Sequence, residues 1–156
     1  TNFAKESLFN ILTNGYELHA ISVLDLFAGS GNISYEFISR GCQNVLAIDK
    51  NVNCIKFINK IKHQFEMHNL NTKLTTAIKY LNHTSNNYDV IFADPPYKYK
   101  QDDYNELINL VFSKKLLVEY GVLVIEHSKF IKFNNNPFFF ETRKYGSINF
   151  TFLKNE

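Results

Sequence analysis

Several residue types and patterns are absent from this chain, and each absence excludes a class of protein. Tryptophan does not occur, and Cys42 and Cys54 are the only cysteines. Neither belongs to a CxxC pair or to a Cys/His cluster with metal-ligand spacing, so we expect reduced thiols and no metal. No apolar run approaches the ~20 residues of a membrane span, and no signal peptide is visible. We therefore expect a cytoplasmic protein without a membrane partner.

The remaining composition is that of an ordinary globular domain. Hydrophobic residues make up 45% and charged residues 21% of the 156 residues, which is enough chain to bury a sizeable core. A formal net charge of +2 neither establishes nor excludes a polyanionic partner. We expect one domain over residues 1–156 and, because no exposed apolar stripe is evident, a monomer.

Strand-like and helix-like segments alternate along most of the chain. Helices are predicted over residues 4–12, 32–39, 51–68, 78–81 and 103–117, and strands over 21–27, 45–49, 72–76, 88–94 and 121–126. Two further strand-like runs, 138–143 and 147–153, are joined through Tyr145-Gly146 and predict a hairpin. This order predicts an α/β, doubly wound, mostly parallel seven-stranded sheet with a C-terminal antiparallel hairpin. Ligands of such folds bind at the carboxyl ends of the strands.

A glycine turn follows the first predicted strand and opens a helix, where backbone N–H groups can approach a ligand closely. The turn departs from G-x-G-x-x-G, since Ser34 occupies the third glycine position and an Asp precedes the glycines. An acidic residue there repels phosphate but suits a cation, such as the ammonium group on the methionine part of S-adenosylmethionine. The candidate cofactor-binding residues of this segment are Asp25, Phe27, Ala28, Gly29, Ser30 and Gly31.

Asp49 ends the second predicted strand and is followed by Lys50. A carboxylate about 20 residues beyond a glycine turn commonly accepts hydrogen bonds from ribose hydroxyls. The turn and Asp49 together indicate a ligand that contains adenosine, with Lys50 at the same edge. The structural alternative is that the glycines only shape a turn and that Asp49 caps the next helix.

Asp94-Pro95-Pro96-Tyr97 ends the fourth predicted strand, where a ligand is expected. The prolines prevent further sheet pairing and leave backbone carbonyls with few internal partners. A carboxylate and a carbonyl that accept both N–H bonds of an exocyclic amine localise its lone pair for attack on a sulfonium methyl group. We assign these roles to Asp94, which also borders the cofactor, and to the Pro95 carbonyl, with Tyr97 stacking on the base. Alternatively, the prolines merely stop a strand and Tyr97 is a core aromatic.

Basic residues follow this segment and recur late in the chain. Lys98, Lys100 and Arg143 are candidate contacts to the phosphates and bases of an RNA substrate. A solvated surface explains them equally well. Glu126 and His127 end the fifth predicted strand, and the polarity usual at strand ends accounts for them without chemistry.

The motifs resemble those of the RsmD-type 16S rRNA (guanine-N2)-methyltransferases, which are Rossmann-like enzymes. The resemblance covers essentially the whole chain and rests on residues 1–12, 25–31, 39–41, 94–97 and 143–146. It implies an S-adenosylmethionine-dependent cytoplasmic enzyme. Its implied substrate is the N2 amine of one guanine of 16S rRNA in the small ribosomal subunit.

The chain departs from this family pattern in two places. The family begins with a basic β-hairpin and an Arg-Pro-Thr-Thr stretch, of which only Thr1 remains, so we expect that a preceding RNA-binding segment is missing. Related enzymes often place an Asp against the adenine amine, whereas Thr76 stands at that position here. Thr76 and the Ala77 backbone are therefore the candidate adenine contacts.

Three other interpretations of the sequence remain open. The first is an amine methyltransferase that acts on DNA adenine or protein glutamine, although the chain has no room for a DNA target-recognition region. The second is an inactive S-adenosylmethionine-binding scaffold, which the intact Asp94, Pro96 and Tyr97 disfavour. The third is a nucleotide-dependent oxidoreductase, which the acidic residue ahead of the glycine turn disfavours.

Overall fold

The computed structural model describes residues 2–155, so Thr1, the expected remnant of the Arg-Pro-Thr-Thr stretch, lies outside the described residues, as does Glu156. The α-helices in the described range are α1 (Asn2–Gly15), α2 (Asn32–Ser39), α3 (Val52–Gln64), α4 (Ala77–His83) and α5 (Gln101–Ser113). The strands are β1 (Ser22–Asp25), β2 (Asn44–Asp49), β3 (Leu70–Leu74), β4 (Tyr88–Ala93), β5 (Leu117–His127), β6 (Phe139–Tyr145) and β7 (Ile148–Leu153).

The seven strands form one sheet in the order β3-β2-β1-β4-β5-β7-β6. Strands β1 to β5 pair in parallel, and β7 runs antiparallel to both β5 and β6. From β1 the chain winds outward through β2 and β3 and then returns to place β4 on the other side of β1. The order therefore reverses between β1 and β4, which is where doubly wound folds bind ligands. The predicted fold class and the terminal hairpin are confirmed.

The core forms two layers, one on each face of the sheet. Leu24, Ile91 and Leu123 pack with residues of α4 and α5 in one layer. Val23 and Val90, next to Leu24 and Ile91 in sequence, pack with residues of α1, α2 and α3 in the other. Successive strand side chains point to opposite faces, so strands covered on both sides are apolar at nearly every position. That requirement explains the continuous hydrophobic runs in the sequence.

Several element ends differ from the sequence predictions. Helix α3 ends at Gln64 rather than at residue 68, because Glu66 leaves the helix at φ 52°, and Phe65 is 60% exposed. Strand β3 begins two residues earlier than predicted because Leu70 pairs with Val45 of β2. Helix α5 is shorter than predicted, since Lys115 at φ 54° turns the chain into β5.

Three kinds of feature are absent between residues 2 and 155. None of the helices combines the length and apolar character of a membrane span. No group of three or more His, Cys, Asp or Glu side chains is placed to hold a metal ion. No disulfide is present in this range, since both Cys42 and Cys54 are free thiols.

Candidate functional site

Four acidic side chains mark the carboxyl ends of four neighbouring strands. Asp49 and Asp25 are the last residues of β2 and β1, Asp94 directly follows β4, and Glu126 is the penultimate residue of β5. The strand order places them side by side, because parallel strands end at the same edge of a sheet. Two cavities open along this edge.

The first cavity has a volume of about 470 Å³ and lies over the ends of β1 and β2 and the start of α4. Six of the predicted cofactor residues line it together with Asp94, namely Phe27, Gly29, Asp49, Lys50, Thr76 and Ala77. Thr76 caps α4, its hydroxyl accepting the Lys79 backbone N–H at 3.1 Å. The remaining predicted residues, Asp25, Ala28, Ser30 and Gly31, belong to the turn and to the strand end behind it.

Hydrogen bonds hold the glycine turn against the end of β2. The Gly29 backbone N–H donates to Asp49 Oδ2 at 2.9 Å, and the Asn51 N–H donates to Asp49 Oδ1 at 2.9 Å. Gly29 and Gly31 have φ angles of 55° and 91°, in the left-handed region that favours glycine. Asp49 therefore orients the turn and also faces the cavity.

Asp25 lies at the end of β1 and is nearly inaccessible, with 1% of its surface exposed. The Ser34 hydroxyl of α2 donates to Asp25 Oδ2 at 2.7 Å, whereas Oδ1 is buried and has no hydrogen-bond partner in the described part of the chain. The pKa of Asp25 is raised from 3.8 to about 7, because burial and, less strongly, the Asp49 carboxylate outweigh the hydrogen bonds of the Ser34 hydroxyl and the Phe27 backbone, which lower it. Ser34, at the position of the third glycine in dinucleotide-binding turns, thus holds a buried carboxylate.

A second cavity, also of about 470 Å³, opens over the ends of β4 and β5 and the turn between β6 and β7. Its walls include Pro95, Tyr97 and Glu126. Asp94 and Tyr99 line both this cavity and the first one. The two residues therefore form a shared wall between the cavities.

The Asp94 carboxyl group changes charge near neutral pH. Its pKa is raised to about 7, chiefly by burial and in smaller part by the carboxylates of Glu126 and Asp25. Neighbouring protein removes much of the water around the carboxyl group, although the residue keeps exposed surface where it faces the cavities. Burial also raises the pKa of Glu126.

The prolines leave one backbone carbonyl beside Asp94 without a partner. The Pro96 carbonyl accepts the Tyr99 backbone N–H at 2.9 Å, whereas no hydrogen bond from residues 2–155 reaches the carbonyl of buried Pro95. Tyr97 lines the second cavity and is fully exposed, at 101% of its reference surface. This exposure excludes the alternative in which Tyr97 is a core aromatic.

The structure separates the predicted basic residues. Lys98 lines the first cavity. Lys100 lies outside the linings of both cavities, at the start of α5, where its backbone N–H donates to Asp103 at 2.9 Å. Arg143 is also outside both linings, on β6, and its exposed guanidinium pairs with Glu141 at 3.0 Å.

Two residues gain importance from the structure. Strand-end polarity accounts for Glu126 in the sequence, yet its side chain lines the second cavity next to Asp94. The ring of Tyr99 packs edge-on against Phe27 and Tyr104, with centroid distances of 5.5 and 5.4 Å, and so connects the two cavities. The available signal for Glu126 was an acidic residue at a strand end, but a single sequence does not show that β4 and β5 are neighbours.

Comparison with known proteins identifies the family of this chain. A family model described as conserved hypothetical protein 95 matches residues 1–154. The chain belongs to this family. Ribosomal RNA small subunit methyltransferase D of Buchnera aphidicola subsp. Baizongia pistaciae is 33% identical over 98 residues, which are 63% of this chain and 50% of that relative. The protein of the same name from Buchnera aphidicola subsp. Acyrthosiphon pisum is 33% identical over 132 residues, covering 83% of this chain and 66% of that relative.

The fold comparison agrees with the family. The Escherichia coli protein yhhF, a proposed methyltransferase, superposes with a TM-score of 0.85 at 22% identity, covering 97% of this chain and 84% of that one. Identity at this level shows the fold alone. The chain matches half the length of the first relative above. The resemblance to RsmD-type methyltransferases is thus confirmed at the level of family and fold.

Proposed function

We propose that this chain is an S-adenosylmethionine-dependent methyltransferase that methylates the exocyclic N2 amine of a guanine in 16S rRNA of the small ribosomal subunit. The observation that carries the proposal is the wall formed by Asp94 between the two cavities. Methyl transfer requires donor and acceptor to meet in line, so a carboxylate between their sites borders the path of the methyl group. The names of the relatives support ribosomal RNA as the substrate, which implies a cytoplasmic enzyme.

The residues around the first cavity suit S-adenosylmethionine. The unpartnered, buried Oδ1 of Asp25 suits an ammonium group, since it is an anionic acceptor that no described residue satisfies. The Asp49 carboxylate faces the cavity and suits two vicinal ribose hydroxyls. Thr76 and Ala77 are the candidate contacts to adenine. When bound, the cofactor supplies an electrophilic methyl group.

Asp94 of the shared wall and Pro95 of the second cavity prepare the amine. The Asp94 carboxylate accepts one N–H of the amine and the Pro95 carbonyl accepts the other, so that the nitrogen lone pair leaves conjugation with the ring. Both acceptors stabilise charge that grows on the nitrogen only as it reacts. The nitrogen must finally release a proton, and Asp94, with a pKa raised to about 7, can accept it.

Tyr97 offers a surface for the target base. Its ring is fully exposed at the second cavity, unlike a tyrosine buried for packing. A base that leaves a stacked helix loses a few kcal/mol of stacking, which a protein aromatic can replace. Stacking on Tyr97 would contribute about 1–3 kcal/mol.

Methyl transfer to ribosomal subunits tests the proposal. The full natural protein is incubated with labelled S-adenosylmethionine and small subunits from a strain that lacks the gene, and the modified nucleoside is identified by mass spectrometry. We expect N2-methylguanosine in 16S rRNA. Asp94→Asn should abolish the signal, whereas Asp102→Asn, on the exposed first turn of α5, should not. Cofactor binding without transfer to RNA would overturn the substrate assignment.

A further inference from the structure

We propose that Glu126 selects guanine over the other bases by accepting its N1–H while Asp94 accepts an N–H of the neighbouring N2 amine. This inference rests on the proposed function and assigns a specificity-determining role to a residue of the second cavity.

Strand register places the two carboxylates together. Ala93 of β4 pairs with Ile125 of β5, so Asp94 and Glu126 follow a matched pair on parallel strands about 4.8 Å apart. Ala93 and Ile125 belong to the same core layer; Glu126 follows Ile125 within β5 and is directed to the opposite face, whereas Asp94 directly follows the last residue of β4. Both acidic residues line the second cavity.

The Glu126 carboxylate is available for a ligand. It is half-buried, and no hydrogen bond or salt bridge from residues 2–155 reaches it. Its neighbour Asp94 carries the same charge, and burial raises the pKa of Glu126. Two adjacent carboxylates disfavour each other's negative charge until hydrogen-bond donors arrive. The arrangement therefore suits a ligand edge that presents neighbouring N–H donors.

The end of β5 is also held firmly. The Nδ1 atom of His127 lies 2.8 Å from the Ser128 carbonyl, and Nε2 lies 2.6 Å from the Thr151 hydroxyl. A carbonyl can only accept, so Nδ1 donates to Ser128. Burial lowers the pKa of His127 and favours the neutral ring, in which Nε2 accepts from Thr151. The bond to Thr151 ties β5 to β7 beside Glu126, and the bond to Ser128 fixes the orientation of the His127 ring.

Guanine is the base whose edge matches two carboxylates. Its N1–H and N2 amine are adjacent donors, whereas adenine and cytosine place an unprotonated ring nitrogen beside their amine. A carboxylate that faces such a lone pair is repelled and loses its hydrogen bond. Sites built to bond an N–H reject analogues that lack it more strongly than apolar pockets reject a missing methylene. Glu126 therefore adds discrimination between guanine and the other amine-bearing bases that Asp94 alone cannot supply.

A base analogue isolates the contribution of Glu126. 2-Aminopurine keeps the amine to be methylated but has an unprotonated N1. Small subunits are reconstituted with 16S rRNA in which this analogue replaces the target guanosine, and kcat/KM is measured for both substrates. Glu126→Gln presents an amide that can donate to N1. Glu119→Gln is the matched control, because Glu119 is exposed near the other end of β5.

We expect Glu126→Gln to lower kcat/KM on guanosine by roughly 10- to 100-fold, the usual loss for a hydrogen bond to a charged group. The same variant should raise the ratio of 2-aminopurine to guanosine activity at least about 10-fold over wild type. Unchanged cofactor affinity would show that the variant folds. An unchanged substrate ratio would overturn the role of Glu126, whatever the absolute rates. No transfer to guanosine by the wild-type protein would instead overturn the proposed function, and this inference with it.

Discussion

Replacing Asp25 with Asn should make the protein more stable at alkaline pH and a poorer binder of S-adenosylmethionine. Asp25 is 1% exposed, and its Oδ1 has no hydrogen-bond partner among residues 2–155. Holding a negative charge there costs folding free energy, which the proposed ammonium ligand would recover. Asn keeps an oxygen for the Ser34 hydroxyl and removes the charge.

The pKa of Asp25 sets the size and sign of the effect. The ordinary pKa of an Asp side chain is 3.8, whereas the pKa of Asp25 in the folded protein is about 7. The folded state therefore binds the proton more tightly, so this group lowers stability progressively as pH rises from about 4 to about 7. The full penalty above that range is roughly 4 kcal/mol. The new amide N–H₂ lacks an acceptor, which costs about 1–3 kcal/mol. The net stabilisation at about pH 8 is then about 1–3 kcal/mol.

Urea unfolding at several pH values measures the difference between Asp25→Asn and wild type. The difference should change by roughly 2–3 kcal/mol in favour of the variant between about pH 5 and about pH 8. Asp89→Asn is the control, because Asp89 is half-buried and accepts the Ser22 backbone N–H at 2.9 Å near the opposite end of the sheet. Calorimetric titration should show that Asp25→Asn weakens cofactor binding, by roughly 10- to 100-fold for the loss of a charged partner.

Two results would refute this reasoning. A stability difference between Asp25→Asn and wild type that is independent of pH would mean that the Asp25 carboxylate is not an uncompensated buried charge. Unchanged cofactor affinity would mean that the unpartnered oxygen does not serve the ligand.

Four further expectations concern the site. Asp94→Ala should abolish methyl transfer and leave cofactor affinity nearly unchanged, whereas Asp49→Ala should mainly weaken cofactor binding; equal losses of affinity in titrations of both variants would contradict these roles. In steady-state kinetics, kcat/KM should rise as pH increases through about 7 and fall about tenfold per pH unit below it, because Asp94, whose pKa is raised to about 7, must be ionised to accept the amine N–H. Tyr97→Ala should lower kcat/KM roughly 10-fold or more through lost base stacking, while Tyr97→Phe should keep most of it. Thr151→Val should destabilise the protein by about 1–3 kcal/mol in urea unfolding, because His127 Nε2 loses its donor inside the sheet.

Local patterns in the sequence predicted the elements that depend on nearby residues. Helix α2 spans Asn32–Ser39, the predicted range, because the glycine turn starts it and its apolar spacing continues to Ile38. The β6–β7 hairpin also follows from residues close together in the chain. The predicted end of α3 at residue 68 is wrong, because Phe65 fits the helical period in the sequence, whereas the backbone leaves the helix after Gln64 and β3 pairs with β2.

The candidate site also combines features that the sequence predicts with features that only the fold shows. The chemistry of the glycine turn, Asp49 and Asp94–Tyr97 is readable in the sequence, because each motif combines residue types with a particular position after a strand. Other features of the site depend on the tertiary structure. Asp49 accepts the Gly29 backbone N–H, Asp94 borders both cavities, and Glu126 lies beside Asp94. The sequence by itself thus determined which strands end in reactive groups. Only the folded sheet decided which ends are neighbours, because hydrogen bonds between distant segments set the strand order and register, and a single sequence carries no record of that pairing.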